Sequence, residues 1–283
     1  MTRHADTIED HDRGLAFDLP RLINRRRAVG LLAGGIGSAA LVACGGSSSA
    51  GGTGATATTA GDATPATPTT TAATAATGVT EINDETAGPY PGDGSNGPDV
   101  LAKSGVVRSD ITTSIGDASG VAQGVPTTVE LTLLDVAGGG TPLAGAAVYV
   151  WHCDAAGRYS MYDVADQNYL RGVQASGSDG KVAFQTIFPG AYAGRWPHIH
   201  FEVYESAGAA TSAGSKLKTS QIALPKATCE LAYKTSGYEQ SIQNLGQLSL
   251  ASDMVFSDGV AGQLATGSGT AKDGLTLKLN VGV

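Results

Sequence analysis

The sequence predicts a mainly β protein, an antiparallel β-sandwich with long irregular loops. Short segments rich in β-branched and aromatic residues alternate between apolar and polar positions, and turn residues separate them. Helical periodicity is weak, glycine is abundant with 40 among 283 residues, and only 16% of residues are charged. Turn-separated short strands of this kind favour two packed antiparallel sheets over an alternating α/β fold.

Six segments carry the strand signal. In chain order they are 127–134, 146–152, 181–187, 198–204, 219–224 and 275–281. The glycine run 138–140 and the turn Ser178-Asp179-Gly180 are breakers between the early strands. A helical turn is expected over 227–232. The segment 85–100 is expected to be irregular because it is dense in Gly, Pro and Asp.

Residues 1–43 predict an export signal. Three consecutive arginines, Arg25 to Arg27, stand directly before a glycine-rich apolar run at 28–43. The run is shorter than the roughly 20 apolar residues that a membrane span needs. This pattern is typical of a secretory signal peptide, and the paired arginines favour the twin-arginine route.

The stretch Leu41-Val42-Ala43-Cys44 resembles a bacterial lipobox, so Cys44 is predicted to carry a lipid. The alternative is a lone cysteine in a tract of small residues. Residues 44–78 are almost wholly Gly, Ala, Thr and Ser, and they predict a flexible spacer because they cannot bury a core. The folded domain is then 79–283. We expect an extracytoplasmic protein, secreted or tethered to the membrane only through lipid.

Charge and motif content exclude several classes of function. The formal net charge is −8, and no basic patch with interleaved aromatics occurs, which argues against a nucleic-acid partner. The three cysteines form no C-x-x-C pair, so a thiolate zinc site is not expected. No glycine-rich phosphate loop follows a strand.

The chemically richest stretch is 192–201. Tyr192, Arg195, His198 and His200 fall within nine residues. Side chains two apart on a strand share a face, so His198 and His200 are expected to point the same way, as two ligands of one metal would. The alternative is an ordinary strand with two exposed histidines.

A second candidate ligand, Tyr159, follows the predicted strand 146–152. It lies in the loop Gly157-Arg158-Tyr159, away from the sheet core. A bound ferric ion would deprotonate such a tyrosine, as metals deprotonate coordinated thiols and water. The alternative is a loop tyrosine with no special role.

Taken in order, these segments resemble the intradiol ring-cleavage dioxygenases of the catechol and protocatechuate type. The resemblance covers roughly 86–281 and rests on five segments. They are Thr-Ala-Gly-Pro-Tyr at 86–90, Val150-Trp151 with 157–159, Thr-Ile-Phe-Pro-Gly-Ala-Tyr at 186–192, Arg-Trp-Pro-His-Ile-His-Phe at 195–201, and Lys-Thr-Ser-Gln-Ile at 218–222.

The resemblance implies a mononuclear non-haem Fe(III) held by Tyr159, Tyr192, His198 and His200. Phenolates are hard anionic donors that suit ferric iron, whereas two histidines with one carboxylate suit Fe(II) oxygenases. It also implies that Tyr192 takes up a substrate proton, that Arg195 stabilises negative charge on the ring, and that Gln221 orients the site. Gly88, Pro89 and Tyr90 would line the substrate pocket.

The implied reaction is cleavage of a catechol-type ring by O₂ between its two hydroxyl-bearing carbons, giving a cis,cis-muconate-type diacid. One alternative is a non-catalytic extracytoplasmic β-sandwich lipoprotein that binds phenolics or carbohydrate. Another is a degenerate relative that binds iron or phenols without turnover. Cys153 and Cys229 would form a disulfide outside the cytoplasm or remain as two buried thiols.

Overall fold

The computed structural model describes residues 78–211 and 216–283, and these form two packed β-sheets, as the sequence predicts. The predicted signal peptide, Cys44 and the spacer up to residue 77 lie outside the described residues. Within the described part of the chain, no helix is long and apolar enough to cross a membrane.

The first sheet has strand order β2-β1-β9-β8, and β5 also pairs with β1. Its strands are β1 (Pro126–Asp135), β2 (Thr141–Pro142), β5 (Lys181–Ile187), β8 (Thr266–Thr270) and β9 (Gly274–Gly282). Neighbours run antiparallel except for β1 and β9, which are parallel. The sandwich is therefore antiparallel apart from this one pairing.

The second sheet has order β4-β3-β6-β7 and is antiparallel throughout. Its strands are β3 (Ala147–Trp151), β4 (Arg171–Ala175), β6 (His198–Tyr204) and β7 (Lys216–Ala223). Two short helices follow, α1 (Lys226–Ala232) and α2 (Glu239–Leu245). Helix α1 confirms the predicted helical turn, whereas β2, β4, β8 and α2 were not predicted.

The second sheet is buried on both faces, and the candidate site lies on the face that points away from the first sheet. On β6, Ile199, Phe201 and Val203 pack into the core between the sheets. The alternate positions, which include His198 and His200, face the other way and are also buried. A second cluster of buried aromatic and aliphatic side chains covers that outer face, and it comes largely from irregular segments before β1 and after β3.

Cys153 and Cys229 are both buried and have free thiols, so of the two alternatives the structure contains the pair of thiols and not the disulfide. The two residues belong to different clusters. Cys153 lies in the outer cluster and donates a hydrogen bond to the Gly190 carbonyl at 3.4 Å. Cys229 lies in the core between the sheets.

A thiol titration tests this arrangement. We expect denatured protein to show the same number of thiols with and without prior reduction, because neither Cys153 nor Cys229 is engaged in a disulfide. Two additional thiols after reduction would show that the cysteines are paired, and a Cys229→Ser variant would then identify the partner.

Candidate metal centre and pocket

Four side chains meet on the outer face of the second sheet. His198 and His200 occupy the first and third positions of β6, and their Nε2 atoms are 3.0 Å apart, so the predicted common face is observed. The Tyr192 hydroxyl lies 3.3 Å from His198 Nε2. The Tyr159 ring lies edge-on to its neighbours, with its centroid 6.0 Å from the Tyr192 ring and 6.3 Å from the His200 ring.

Both histidines are held in the neutral form, in which a ring nitrogen can donate its lone pair to a metal ion. His198 Nδ1 donates to the Trp196 carbonyl at 2.5 Å, and since a carbonyl only accepts, Nε2 of His198 carries the free lone pair. Burial lowers the pKa of His198 well below its ordinary value, and the Arg195 charge lowers it further. Burial and the neighbouring His198 do the same to the pKa of His200. Neutral imidazole is the form that binds metals.

The two tyrosines differ in exposure and in hydrogen bonding. Tyr159 is 1% exposed, and its hydroxyl has no hydrogen-bond partner among the described residues. Burial raises the pKa of Tyr159 well above its usual value, with a further contribution from Tyr192. Tyr192 is only partly buried; burial raises its pKa to about 12, against an opposing effect of the Arg195 charge.

An unpartnered buried hydroxyl costs about 1–3 kcal/mol, so Tyr159 calls for an explanation. A metal ion would give the Tyr159 oxygen a partner, and the facing Nε2 atoms of His198 and His200 would be ligands to it. The donor set is two phenols and two imidazoles, and within 78–211 and 216–283 no group of three or more His, Cys, Asp and Glu is arranged to hold a metal ion. Two hard anionic phenolates fit ferric iron. The residues present therefore fit the ion that the resemblance implies.

Neighbouring strands hold His200 in place from both sides. On β3, Trp151 is directly opposite His200, and its ring stacks on the imidazole at 4.9 Å with an interplanar angle of 7°. On β7, Gln221 is opposite His200. The Trp151 ring thus covers one face of the imidazole, and Gln221 occupies the paired position on β7.

Arg195 and Gln221 are brought together as a pair. The Arg195 guanidinium donates from Nη2 to Gln221 Oε1 at 2.6 Å, and Gln221 Nε2 donates to the Thr86 carbonyl at 2.8 Å. Arg195 also donates from Nε to the buried carboxylate of Asp253 at 3.0 Å. Gln221 therefore links Arg195 to the segment that carries Gly88, Pro89 and Tyr90.

That segment lies against two of the four candidate ligands, His200 and Tyr159. A Cβ added to Gly88 would lie 3.3 Å from His200 Cε1, and Gly88 has a φ of +73°. The Tyr90 ring centroid is 4.8 Å from that of Tyr159. The Pro89 carbonyl accepts from Asn96 Nδ2 at 2.6 Å. Gly88 and Tyr90 thus contact the ligand cluster and Pro89 lies between them in the chain, and the role of the three residues as a substrate pocket stays a prediction.

Substituting Gly88 tests this contact. Alanine at a positive φ costs about 1–2 kcal/mol wherever it is placed, but in Gly88→Ala the methyl group would also press on His200. Gly116 has a φ of +67° with nothing within 4 Å, so Gly116→Ala is a matched control for the backbone cost. We expect both variants to lose stability in urea unfolding, Gly88→Ala at least as much as Gly116→Ala, and only Gly88→Ala to bind less iron. Equal iron binding in the two variants would contradict the contact.

Sequence reasoning missed three residues that complete this region. They are Asp253, Phe256 and Arg171, which are buried and contact site residues directly, Arg171 through the Tyr90 carbonyl. Asp253 and Phe256 lie more than fifty positions after Arg195 in a stretch without strand signal, so no local pattern marks them. Arg171 follows the irregular loop, where an arginine is ordinarily exposed.

The chain has the fold of the intradiol ring-cleavage dioxygenases. An intradiol ring-cleavage dioxygenase from Tetranychus urticae matches with a TM-score of 0.50 and 26% identity, covering 62% of this chain and 86% of that chain. A family model described as Dioxygenase matches residues 96–213. The matched stretch contains the four candidate ligands and Arg195 but neither Gln221 nor Asp253.

Two curated relatives are similar over a shorter stretch. Catechol 1,2-dioxygenase 1 of Acinetobacter lwoffii is 44% identical over 57 residues, which is 19% of this chain and 18% of the relative. Chlorocatechol 1,2-dioxygenase of Rhodococcus opacus is 42% identical over 55 residues, which is 19% of this chain and 21% of the relative. The chain thus spans about a fifth of the length of the curated relatives that it matches.

Proposed function

We propose that the chain is an Fe(III)-dependent oxidoreductase that cleaves a catechol-type ring with O₂ between its two hydroxyl-bearing carbons. The observation that carries the proposal is the grouping of two phenols, Tyr159 buried and Tyr192 partly buried, with two neutral imidazoles, while the Tyr159 oxygen has no partner among the described residues. The similarity to intradiol dioxygenases supports the same reaction class. The expected product is a cis,cis-muconate-type diacid.

Tyr159, Tyr192, His198 and His200 would hold the ion. When bound, Fe(III) would supply a positive centre that favours the doubly deprotonated catechol and takes part in its oxidation. His198 presents its Nε2 lone pair because Nδ1 is bonded to the Trp196 carbonyl. Such a bond from the remote ring nitrogen orients a metal-binding histidine.

Tyr192 is the residue suited to take up a substrate proton. A catechol that binds through both oxygens must lose two protons, and Tyr192 is the most exposed of the four candidate ligands. Burial raises the pKa of Tyr192 to about 12, so its free phenolate oxygen is a strong base. Tyr192, as a phenolate, would accept one of these protons at Oη, which is general base catalysis, and the other would pass to solvent.

Arg195 would stabilise the negative charge of the bound ring. Arg195 is 6% exposed and its guanidinium is held by Gln221 and Asp253, so the charge is fixed before substrate arrives. A preorganised charge in a site that excludes water stabilises developing anionic character strongly. Trp151 and Tyr90 add apolar walls beside the ligand cluster.

Metal analysis with visible spectroscopy tests the proposal. Protein purified after iron supplementation is expected to contain one iron per chain, to show a tyrosinate-to-ferric absorption band, and to consume O₂ with a catechol. Colourless protein without iron would favour the non-catalytic binding sandwich. Coloured protein that consumes no O₂ on any catechol would favour the degenerate relative.

We also propose that the chain is exported and tethered through a lipid on Cys44, a position outside the described residues. The support is the arginine cluster and the lipobox-like stretch before Cys44. Labelled fatty acid is expected to be incorporated into the wild type and not into Cys44→Ser. Equal labelling of the two proteins would contradict the tether.

A further inference from the structure

A buried carboxylate outside the predicted constellation contacts the site. Asp253 follows the short 3₁₀ turn Leu250–Ser252, and its side chain is 1% exposed. Its Oδ2 atom accepts from Arg195 Nε at 3.0 Å and from the Trp196 amide at 2.6 Å. Its Oδ1 atom accepts from the amides of Val255 at 2.8 Å and Phe256 at 3.1 Å.

The two oxygens of Asp253 serve different parts of the structure. Oδ1 closes a local turn in which a carboxylate accepts from the amide two residues ahead. This turn brings the Phe256 ring beneath the guanidinium, with Arg195 Cζ 5.9 Å from the ring centroid, and places it 6.5 Å from the His198 ring. Oδ2 holds the guanidinium itself.

The Arg195 guanidinium is consequently fixed on three sides. Asp253 binds Nε, Gln221 binds Nη2, and Phe256 lies against the plane. Nη1 makes no hydrogen bond within the described part of the chain, although Arg195 is nearly buried. Because a guanidinium is a rigid planar fork, fixing two of its nitrogens also fixes the direction in which the third donates.

We propose that Asp253 is the positioning residue for Arg195, a role that rests on the proposed function of the site. Two N–H donors face each oxygen of Asp253, so both oxygens must act as hydrogen-bond acceptors. Only a carboxylate offers two acceptor oxygens at this position. An asparagine would turn its own NH₂ group toward one of these donor pairs in either orientation. Asp253 would therefore aim Nη1 of Arg195 at the bound ring without touching substrate.

A double-mutant cycle in oxygen uptake tests this role. Asp253→Asn is expected to lower kcat/KM by about 10- to 100-fold, as for other residues that orient an active-site group. In an Arg195→Met background, the same substitution is expected to have almost no further effect, because Asp253 acts through Arg195. Iron content and the visible band should match the wild type, and Asp117→Asn, at an exposed position, is the control.

A second variant guards against a folding defect. Asp253→Ser keeps an oxygen for the Val255 and Phe256 amides but removes the contact with Arg195, so it is expected to fold and to show the same loss. Independent, multiplicative losses from Asp253 and Arg195 substitutions would overturn the positioning role while leaving the proposed function intact. An iron-loaded wild type that consumes no O₂ would overturn the proposed function and this role together.

Discussion

Replacing Tyr159 by phenylalanine is expected to abolish most iron binding and to lower catechol-dependent O₂ uptake by at least about 100-fold, since even residues that only orient ligands cost 10- to 100-fold. The same change is expected to leave the iron-free protein as stable as the wild type. The reason is that the Tyr159 hydroxyl is buried without a partner among the residues that the structure describes. Removing an unsatisfied buried hydroxyl relieves a cost instead of adding one.

A variant that loses iron binding but keeps its stability identifies a metal ligand, because replacing a residue needed only for packing would lower stability instead. Tyr169→Phe is the matched control, because Tyr169 is a buried tyrosine of the same loop that makes none of the ring contacts of the site. Iron per chain, the visible band and thermal unfolding of iron-free protein would be measured for both variants. Wild-type iron content in Tyr159→Phe would contradict the ligand assignment.

The second large effect is expected at Arg171, which is fully buried and forms no ion pair within the described part of the chain. Its guanidinium donates to the carbonyls of Tyr90, Pro91 and Ser160, each at 2.9 Å, and to the Ser160 hydroxyl at 3.0 Å. Arg171 thereby joins the pocket segment to the residue that follows Tyr159. Arg171→Met would leave these buried acceptors without hydrogen-bond donors, and we expect a loss of roughly 3–5 kcal/mol in the free energy of unfolding.

The loop that Arg171 braces is held in an uncommon backbone conformation. Met161 and Leu170 have φ angles of 68° and 58°, which non-glycine residues rarely adopt and which cost of order 1–3 kcal/mol each. Loss of Arg171 is therefore expected to loosen Tyr159 and to reduce iron affinity as well as stability.

Urea unfolding and iron titration of Arg171→Met measure both effects. Lys181→Met is the control, because Lys181 forms an exposed ion pair with Asp179 and should contribute less than about 1 kcal/mol. Arg171→Lys is expected to recover only part of the stability, since an ammonium lacks the planar fork that reaches several acceptors. An Arg171→Met protein as stable as the control would contradict the bracing role.

The sequence predicts the parts of this fold that depend on local periodicity. The two-residue repeat of a strand is enough to place His198 and His200 on one face and Ile199, Phe201 and Val203 on the other, as observed. It does not reveal that the outer face is covered, because the covering segments are irregular. Their packing depends on contacts such as those of Arg171 with Tyr90 and Pro91, which join residues some eighty positions apart.

The elements that were missed have composition or pairing that a local pattern cannot identify. Strand β8, Thr-Gly-Ser-Gly-Thr, is exposed at every position and so lacks alternation. Helix α2 buries only Ser241 and Leu245. Strand β4 begins with a buried arginine and a glycine, which are unusual in a strand. The parallel pairing of β1 with β9 joins opposite ends of the domain.

The same distinction applies to the candidate site. Tyr159, Tyr192, His198 and Arg195 could be proposed from ordered motifs, whereas Asp253 could not. Asp253 acts on the site only because the fold brings it next to Arg195, which lies 58 positions earlier in the chain. A residue that acts on another residue leaves little trace in a single sequence, because its partner is distant and its own neighbours carry no motif.

Labelled oxygen tests the central claim most directly. Iron-loaded protein would be supplied with catechol and ¹⁸O₂, and both oxygen uptake and product mass would be followed. We expect one O₂ consumed per catechol and a muconate-type diacid that contains both labelled atoms, because the ring opens between the two hydroxyl-bearing carbons. Release of a quinone and peroxide, cleavage outside the hydroxyl pair to give a semialdehyde, or no uptake by iron-loaded protein would contradict the account.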